Sequence, residues 1–161
     1  MNILLVEDSD NDALLIENAL KGSHQYANIQ RAKSLSECIS NLEKGGVDMV
    51  LLDLGLPDTT GVHSLAEIVA VNRTMPIVII TGDDRRESIK EAVEYGAKDY
   101  IVKNRMNEKR IVDAVAYIRR EIERGNKLQR GRRIIEDSLA TATQNATDIL
   151  NGNYPNARTN N

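Results

Sequence analysis

The sequence predicts an α/β protein built on a doubly wound parallel sheet of five strands. Short aliphatic, β-branched-rich runs recur along the chain, and segments of helical length separate them. The clearest runs are ILLV at 3–6, MVLL at 49–52, IVII at 77–80 and YIV at 100–102. Strands that are apolar throughout are typical of a parallel sheet covered by helices on both faces. Right-handed crossovers then predict the strand order 2-1-3-4-5.

The first half of the chain predicts three strands, at 3–6, 28–32 and 48–53. A helix follows the first strand, with N-cap candidates at 8–10 and a stop at Gly22. Ser34 can cap the second helix, whose apolar stripe includes Cys38 and ends at Gly45-Gly46. A loop, GLPDTTG at 55–61, follows the third strand.

The second half continues the alternation. Strands are predicted from Pro76 and from Asp99, and helices are predicted at 62–72, at 86–95 and from Asn107. Gly125 and Gly131 are expected to interrupt the last helix. Beyond them a heptad-like pattern predicts a separate helix over Ile134–Leu150, which docks on a partner, on another protomer or back on the main domain.

Composition bounds the class of protein. With no Trp and no Phe among 161 residues, the core must be aliphatic. Cys38 is the only cysteine, so no internal disulfide can form, and a reducing, cytoplasmic location is expected. No signal peptide and no apolar stretch of membrane-spanning length is found, so membrane insertion is not expected. Residues 119–133 carry a net charge of +5, but glutamates interrupt them and aromatic residues are absent, which favours a charged helix or linker over nucleic-acid binding.

Polar residues stand directly after four of the apolar runs: Glu7-Asp8, Asp53, Thr81 and Lys103. The carboxyl ends of parallel strands meet at one edge of the sheet, so these side chains are expected to converge there. Paired carboxylates suit Mg²⁺, and a further aspartate can act as the nucleophile in phosphoryl transfer. A lysine and a hydroxyl can bind the remaining phosphoryl oxygens.

The motifs LLVEDSDNDA, LLDLGLPDTTG, IVIITG and GAKDYIVK stand in the order and spacing of a known family. Over residues 1–124 the chain resembles the receiver domain of two-component response regulators, which has a flavodoxin-like fold and includes the chemotaxis receivers. The resemblance implies that Asp53 accepts a phosphoryl group from a histidine kinase or a phosphotransfer protein. It implies a Mg²⁺ cofactor bound by Asp8, by Glu7, by Asp53 and by the backbone carbonyl of Gly55.

The resemblance also implies roles for the later strands. Thr81 and Lys103 would contact the phosphoryl group, and Tyr100 would be the aromatic switch residue that swings inward as Thr81 moves. The change would reach an unknown downstream protein through the surface of helix 4, strand 5 and helix 5. Asn104 departs from the family, because proline usually follows the lysine. A cis bond before Asn104 is therefore either absent or strongly enforced. Gly55, Asp83 and Asp84 are expected to tune autodephosphorylation, in a direction that the sequence leaves open.

Three alternatives to a phosphorylation-controlled switch are open. One is a scaffold that binds its partner in either phosphorylation state. Another is the N-terminal fragment of a larger regulator whose output domain is missing. The third, an enzyme or nucleotide-binding protein, is disfavoured because neither GxGxxG nor GxxxxGK[ST] follows the first strand. Self-phosphorylation of Asp53 yields a state of the protein, so the chain is not expected to be an enzyme. A receiver domain at 1–125, a helical extension or linker at 126–150 and a disordered tail at 151–161 are expected, and a homodimer is one possibility.

Overall fold

The computed structural model describes residues 1–22 and 28–151. Five parallel strands form one sheet in the order β2-β1-β3-β4-β5, which confirms the predicted topology. The strands are β1 Asn2–Val6, β2 Asn28–Ala32, β3 Met49–Leu52, β4 Ile77–Thr81 and β5 Asp99–Val102. The helices are α1 Asp10–Gly22, α2 Leu35–Lys44, α3 His63–Val71, α4 Arg86–Glu94 and α5 Glu108–Leu150, with a 3₁₀ turn at Lys103–Arg105.

The strands β3 and β4 lie at the centre of the hydrophobic core. Every residue of both strands is buried, because helices cover both faces of the sheet at its centre. Aliphatic side chains make up most of one buried cluster of this core, including Leu4, Leu52, Leu65 and Ile79. Cys38, on the stripe of α2, is buried among them, and burial raises the pKa of its thiol to about 12.

The register of the sheet aligns the carboxyl ends of its strands. Val6 pairs with Ala32 on one side and with Leu52 on the other. Thr81 pairs with Val102 in the same way. Since the polar residues identified in the sequence end these strands or immediately follow them, the fold places them along one edge.

The loop after β3 is fastened to the start of α2. Ser34 caps the helix as predicted, its hydroxyl accepting a hydrogen bond from the amide of Glu37. The carboxylate of Asp58 accepts three further hydrogen bonds, from the amides of Leu35 (2.9 Å) and Ser36 (3.0 Å) and from the hydroxyl of Ser36 (3.0 Å). These bonds, the one from Leu35 above all, lower the pKa of Asp58.

The predicted interruption of the last helix is wrong. Glu108–Leu150 is one helix of 43 residues, and neither Gly125 nor Gly131 has the positive φ of a helix stop. An interior glycine weakens a helix by about 1 kcal/mol relative to alanine but leaves its hydrogen bonds intact. Good helix formers surround both glycines, and the ion pair between Arg132 and Glu136 supports the turn after the second.

Residues Met1–Arg119 form one compact unit and Arg120–Asn161 form a second. None of the helices in residues 1–22 and 28–151 is long and apolar enough to cross a membrane. Apart from Asn151, the tail predicted to be disordered lies outside the described residues.

We expect Asp58→Ala to lower the free energy of unfolding by about 1 kcal/mol, because two amides of the first turn of α2 lose their acceptor. The pKa of Asp58 is lowered in the folded protein, so its stabilisation is present above the ordinary value of 3.8 and is lost as the pH falls through the folded pKa. Urea unfolding at pH 7 and pH 3 measures the difference. Asp58→Asn keeps one acceptor oxygen and should lose less; equal unfolding of all three proteins at pH 7 would contradict the capping role.

Candidate functional site at the carboxyl edge of the sheet

The ammonium group of Lys103 lies at the centre of a cluster of carboxylates. Its Nζ is 2.7 Å from Oδ2 of Asp53, 2.7 Å from Oδ2 of Asp12 and 2.8 Å from Oε2 of Glu7. Only 17% of the lysine side chain is exposed. Burial alone would lower the pKa of Lys103, but its bonds to Asp12, Asp53 and Glu7 outweigh that effect and raise it. The lysine is therefore held in its charged form.

Backbone hydrogen bonds continue the sheet one residue past the strands and fix the carboxylates in place. The amide of Glu7 donates to the carbonyl of Ala32, and the amide of Asp53 donates to the carbonyl of Val6, both at 2.9 Å. Arg31 supports the same edge by donating to the carbonyl of Glu7 (2.9 Å) and to that of Asp8 (3.0 Å).

Glu7 is the most deeply buried acid of the cluster, at 1% exposure. Burial raises its pKa, and the charge of Asp53 adds to the effect, while Lys103 opposes it. Its Oε1 accepts a hydrogen bond from the amide of Ser9 at 3.1 Å. Its Oε2 is buried against the ammonium of Lys103, 2.8 Å away. An acidic oxygen in this position is costly unless a cation is near.

The donor set fits a hard divalent cation. Glu7, Asp8 and Asp53 each offer a carboxylate oxygen, and these oxygens lie within 4.8 Å of one another. Counting Asp12, the cluster holds four carboxylates and one ammonium, which leaves an excess of negative charge. Oxygen ligands with this charge are what Mg²⁺ takes in proteins, with water completing the shell.

Thr81 lies on β4, the strand next to β3, and Tyr100 lies on β5, on the other side of β4. Thr81 is buried at the end of β4, and its hydroxyl accepts a 3.4 Å hydrogen bond from the amide of Asp83. The phenol of Tyr100 donates to the backbone carbonyl of Asp83 at 2.8 Å. Burial and the charge of Asp83 raise the pKa of Tyr100 to about 12. One residue of the β4–α4 loop thus contacts both side chains.

Gly55 borders the carboxylate of Asp53. Its amide donates to Oδ1 of Asp53 at 3.0 Å, so the two oxygens of that carboxylate have different partners. A Cβ at position 55 would lie 3.5 Å from both oxygens. The glycine therefore keeps the approach to the carboxylate open.

The structure also decides the conformation at Asn104. Across the described ranges no peptide bond is cis, so the bond before Asn104 is trans and leads into the turn Lys103–Arg105. The sequence left open whether a cis bond before Asn104 is absent or strongly enforced, and the structure shows that it is absent.

Asp12 belongs to the site although it was not predicted from the sequence. It stands in the first turn of α1, where an acid is ordinarily explained by the helix dipole. Its link to Lys103 joins residues 91 positions apart in the chain. The available signal was that α1 begins at the same edge of the sheet, so that the side chains of its first turn can reach the ends of the strands.

Comparison with known proteins agrees with this arrangement. The family model of the response regulator receiver domain matches residues 3–116. The chain is 37% identical over 105 residues to the swarming motility regulation protein RssB of Serratia marcescens, and 36% identical over 107 residues to the transcriptional regulatory protein BasR of Escherichia coli. Each match covers 64% of this chain and 46% of the relative, so the chain spans slightly less than half the length of these curated relatives.

Solved structures show the same fold. A signal receiver domain from Vibrio parahaemolyticus aligns with a TM-score of 0.72 at 24% identity, covering 79% of this chain and 95% of that one. A two-component response regulator from Clostridium difficile aligns with a TM-score of 0.68 at 25% identity, covering 74% and 96%.

We expect Lys103→Met to lower the free energy of unfolding by roughly 2–3 kcal/mol in the presence of EDTA, because three carboxylates lose their counter-charge. The raised pKa of Glu7 would rise further. The penalty should therefore grow as the pH rises through and above the ordinary Glu pKa of 4.5. Thermal unfolding at pH 5 and pH 8 measures it, with Lys98→Met, an exposed lysine, as the control. A variant no less stable at pH 8 than at pH 5 would argue against charge compensation by Lys103.

Proposed function

Because the chain belongs to the response regulator receiver domain family, we propose that it is a phosphorylation-controlled signalling switch whose phosphoacceptor is Asp53. The observation that carries the proposal is the environment of that carboxylate. Asp53 is 7% exposed, is bonded to Lys103, and lies within a carboxylate group that fits a divalent cation. A carboxylate poised between cationic partners is suited to accept a phosphoryl group.

In the proposed step, an oxygen of the Asp53 carboxylate attacks the phosphorus of a phosphohistidine on a histidine kinase or phosphotransfer protein. The new O–P bond forms as the P–N bond breaks, and the imidazole leaves with the electron pair of that bond. The acyl phosphate remains on Asp53. A Mg²⁺ ion bound by Glu7, Asp8, Asp53 and the carbonyl of Gly55 would supply neutralisation of the charge on the phosphoryl oxygens.

Residues of this chain would then hold the product. Lys103 is already within hydrogen-bond distance of Asp53, so its ammonium can follow the charge onto the phosphoryl oxygens. The Thr81 hydroxyl stands at the end of the adjacent strand and can donate to the phosphoryl group once it releases the Asp83 amide. These contacts provide positioning and charge neutralisation, which are the main requirements of phosphoryl transfer.

Transmission is proposed to run from Thr81 through the β4–α4 loop to Tyr100. Both side chains bond to Asp83, so a movement of Thr81 toward the phosphoryl group would displace the residue that anchors the phenol. A ligand that favours one of two such arrangements shifts their populations. The change would be read by a partner protein on the surface of α4, β5 and α5.

The domain organisation is part of the proposal. Residues 1–125 would be the receiver domain, and 126–150 a helical extension. The buried single thiol of Cys38 is compatible with the reducing cytoplasm, where this switch would act.

Intact-mass spectrometry after incubation with Mg²⁺ and acetyl phosphate tests the proposal. The wild-type chain should gain one phosphoryl group, while Asp53→Asn and a sample treated with EDTA should gain none. Asp137→Asn, an aspartate on the extension, should behave as wild type. Phosphorylation of Asp53→Asn to the wild-type level would refute the assignment of the acceptor. Partner binding that is equal for wild type, phosphoprotein and Asp53→Asn would instead identify a scaffold.

We expect Asp12→Asn to increase the fraction of chains phosphorylated at steady state by a few fold. The Asp12 carboxylate occupies one of the three N–H groups of Lys103 and carries the same sign of charge as the incoming phosphoryl group. Removing that charge frees a donor for the phosphoryl oxygens. The same mass measurement gives the result, with Asp12→Glu as the variant that keeps the charge. An unchanged or smaller fraction would show that Asp12 does not compete for Lys103.

A further inference from the structure

The distal part of α5 carries a stripe of exposed apolar side chains. At 3.6 residues per turn, its six members project within an arc of about 80°. They are Leu128, Ile135, Leu139, Ala142, Ala146 and Ile149. Leu128 is 69% exposed, and Ile135 and Leu139 are each 62% exposed. The steps of 7, 4, 3, 4 and 3 residues are those of a seam between paired helices.

An exposed stripe of this kind leaves the helix without its main source of stability. Most helices in proteins depend on packing of an apolar face, because propensity alone is marginal. The stripe runs for about 32 Å, given a rise of 1.5 Å per residue. A continuous apolar surface of this length on an otherwise polar helix indicates an interface.

The charges of the two halves of this segment are opposite. Residues 120–133 carry six Lys/Arg and two Glu, a net charge of +4. Residues 134–150 carry Glu136, Asp137 and Asp148 and no basic residue, a net charge of −3. Two copies side by side in parallel would place like charges together. Two copies in antiparallel orientation would place each basic half beside an acidic half.

We propose that this stripe is a homodimer interface, in which the 120–150 segments of two copies of the chain pack antiparallel. The apolar stripe supplies the contact area, and the opposite charges of the halves set the orientation. The arrangement has two-fold symmetry, so the stripe of one copy meets the same stripe of the other. This inference does not depend on phosphorylation of Asp53.

Two hydroxyl groups near the stripe are compatible with a dry interface. The Ser138 hydroxyl donates to the carbonyl of Ile134 at 2.8 Å, and the Thr143 hydroxyl donates to that of Leu139 at 2.9 Å. Their hydrogen-bonding hydrogens are used within the helix. Burying them against a second copy therefore leaves no donor unsatisfied.

Adjacent isoleucines offer a matched pair of variants. Ile134 is 66% exposed and Ile135 is 62% exposed, but successive helical residues are about 100° apart, so only Ile135 lies on the stripe. In sedimentation equilibrium of the full chain, wild type and Ile134→Glu should be dimeric with similar Kd. Ile135→Glu should weaken dimerisation at least tenfold. Leu139→Glu provides a second variant, and far-UV circular dichroism and thermal unfolding confirm that each chain is folded.

Salt tests the orientation. Attraction between opposite halves is screened as salt increases from 50 to 300 mM, so an antiparallel dimer should weaken. A dimer that tightens over this range would overturn the antiparallel arrangement. A wild-type chain that is monomeric at every concentration, or equal effects of Ile134→Glu and Ile135→Glu, would overturn the interface and assign the stripe to another occupant.

Discussion

The contact on which the site depends is the sharing of one ammonium by several carboxylates. Glu7 and Asp53 follow neighbouring strands whose register is fixed by β1 and β3, and Lys103 follows β5, at the far side of β4. Acidic groups this close repel one another and resist burial, so they can be held together only where a cation compensates them. The sheet holds the carboxylates in fixed positions, and the positive charge of Lys103 compensates their mutual repulsion. The excess of acid that remains suits the proposed divalent cation.

Most of the fold could be predicted from the sequence because its strands are unusually clear. MVLL and IVII are buried on both faces, and such runs occur only where helices cover both sides of a sheet. Topology then fixed which strand ends meet, so Glu7, Asp53, Thr81 and Lys103 could be assigned to one edge before any distance was known. Local sequence patterns were sufficient for these four residues, because the register of the sheet determines where the end of each strand lies.

The features that escaped prediction depend on interactions that periodicity does not record. Asp12 was missed because its contact with Lys103 depends on how α1 leaves the sheet, which its own turn of helix does not specify. Asp58 looks like an ordinary turn residue, yet it caps a helix that begins 23 residues earlier. Gly125 and Gly131 were given too much weight, since a glycine weakens a helix by an amount that neighbouring residues can offset. For Asp12 and Asp58 the interaction partner is distant in sequence. For the two glycines the stabilising interactions are spread over several turns of the helix.

The hydrogen bonds of Asp83 restrict how the carboxyl edge of the sheet can rearrange. Its carboxylate accepts hydrogen bonds from Arg85 and from Ser88, the latter at 2.7 Å, and these bonds, those from Arg85 above all, keep the pKa of that carboxyl far below its usual range. Its carbonyl holds the phenol of Tyr100, and its amide holds Thr81. Asp83 is therefore hydrogen-bonded through its side chain, its carbonyl and its amide at once. A small displacement would weaken several of these hydrogen bonds without forming new ones. We therefore expect the loop to move as a unit, so that a graded input at the carboxyl edge produces a discrete change of shape.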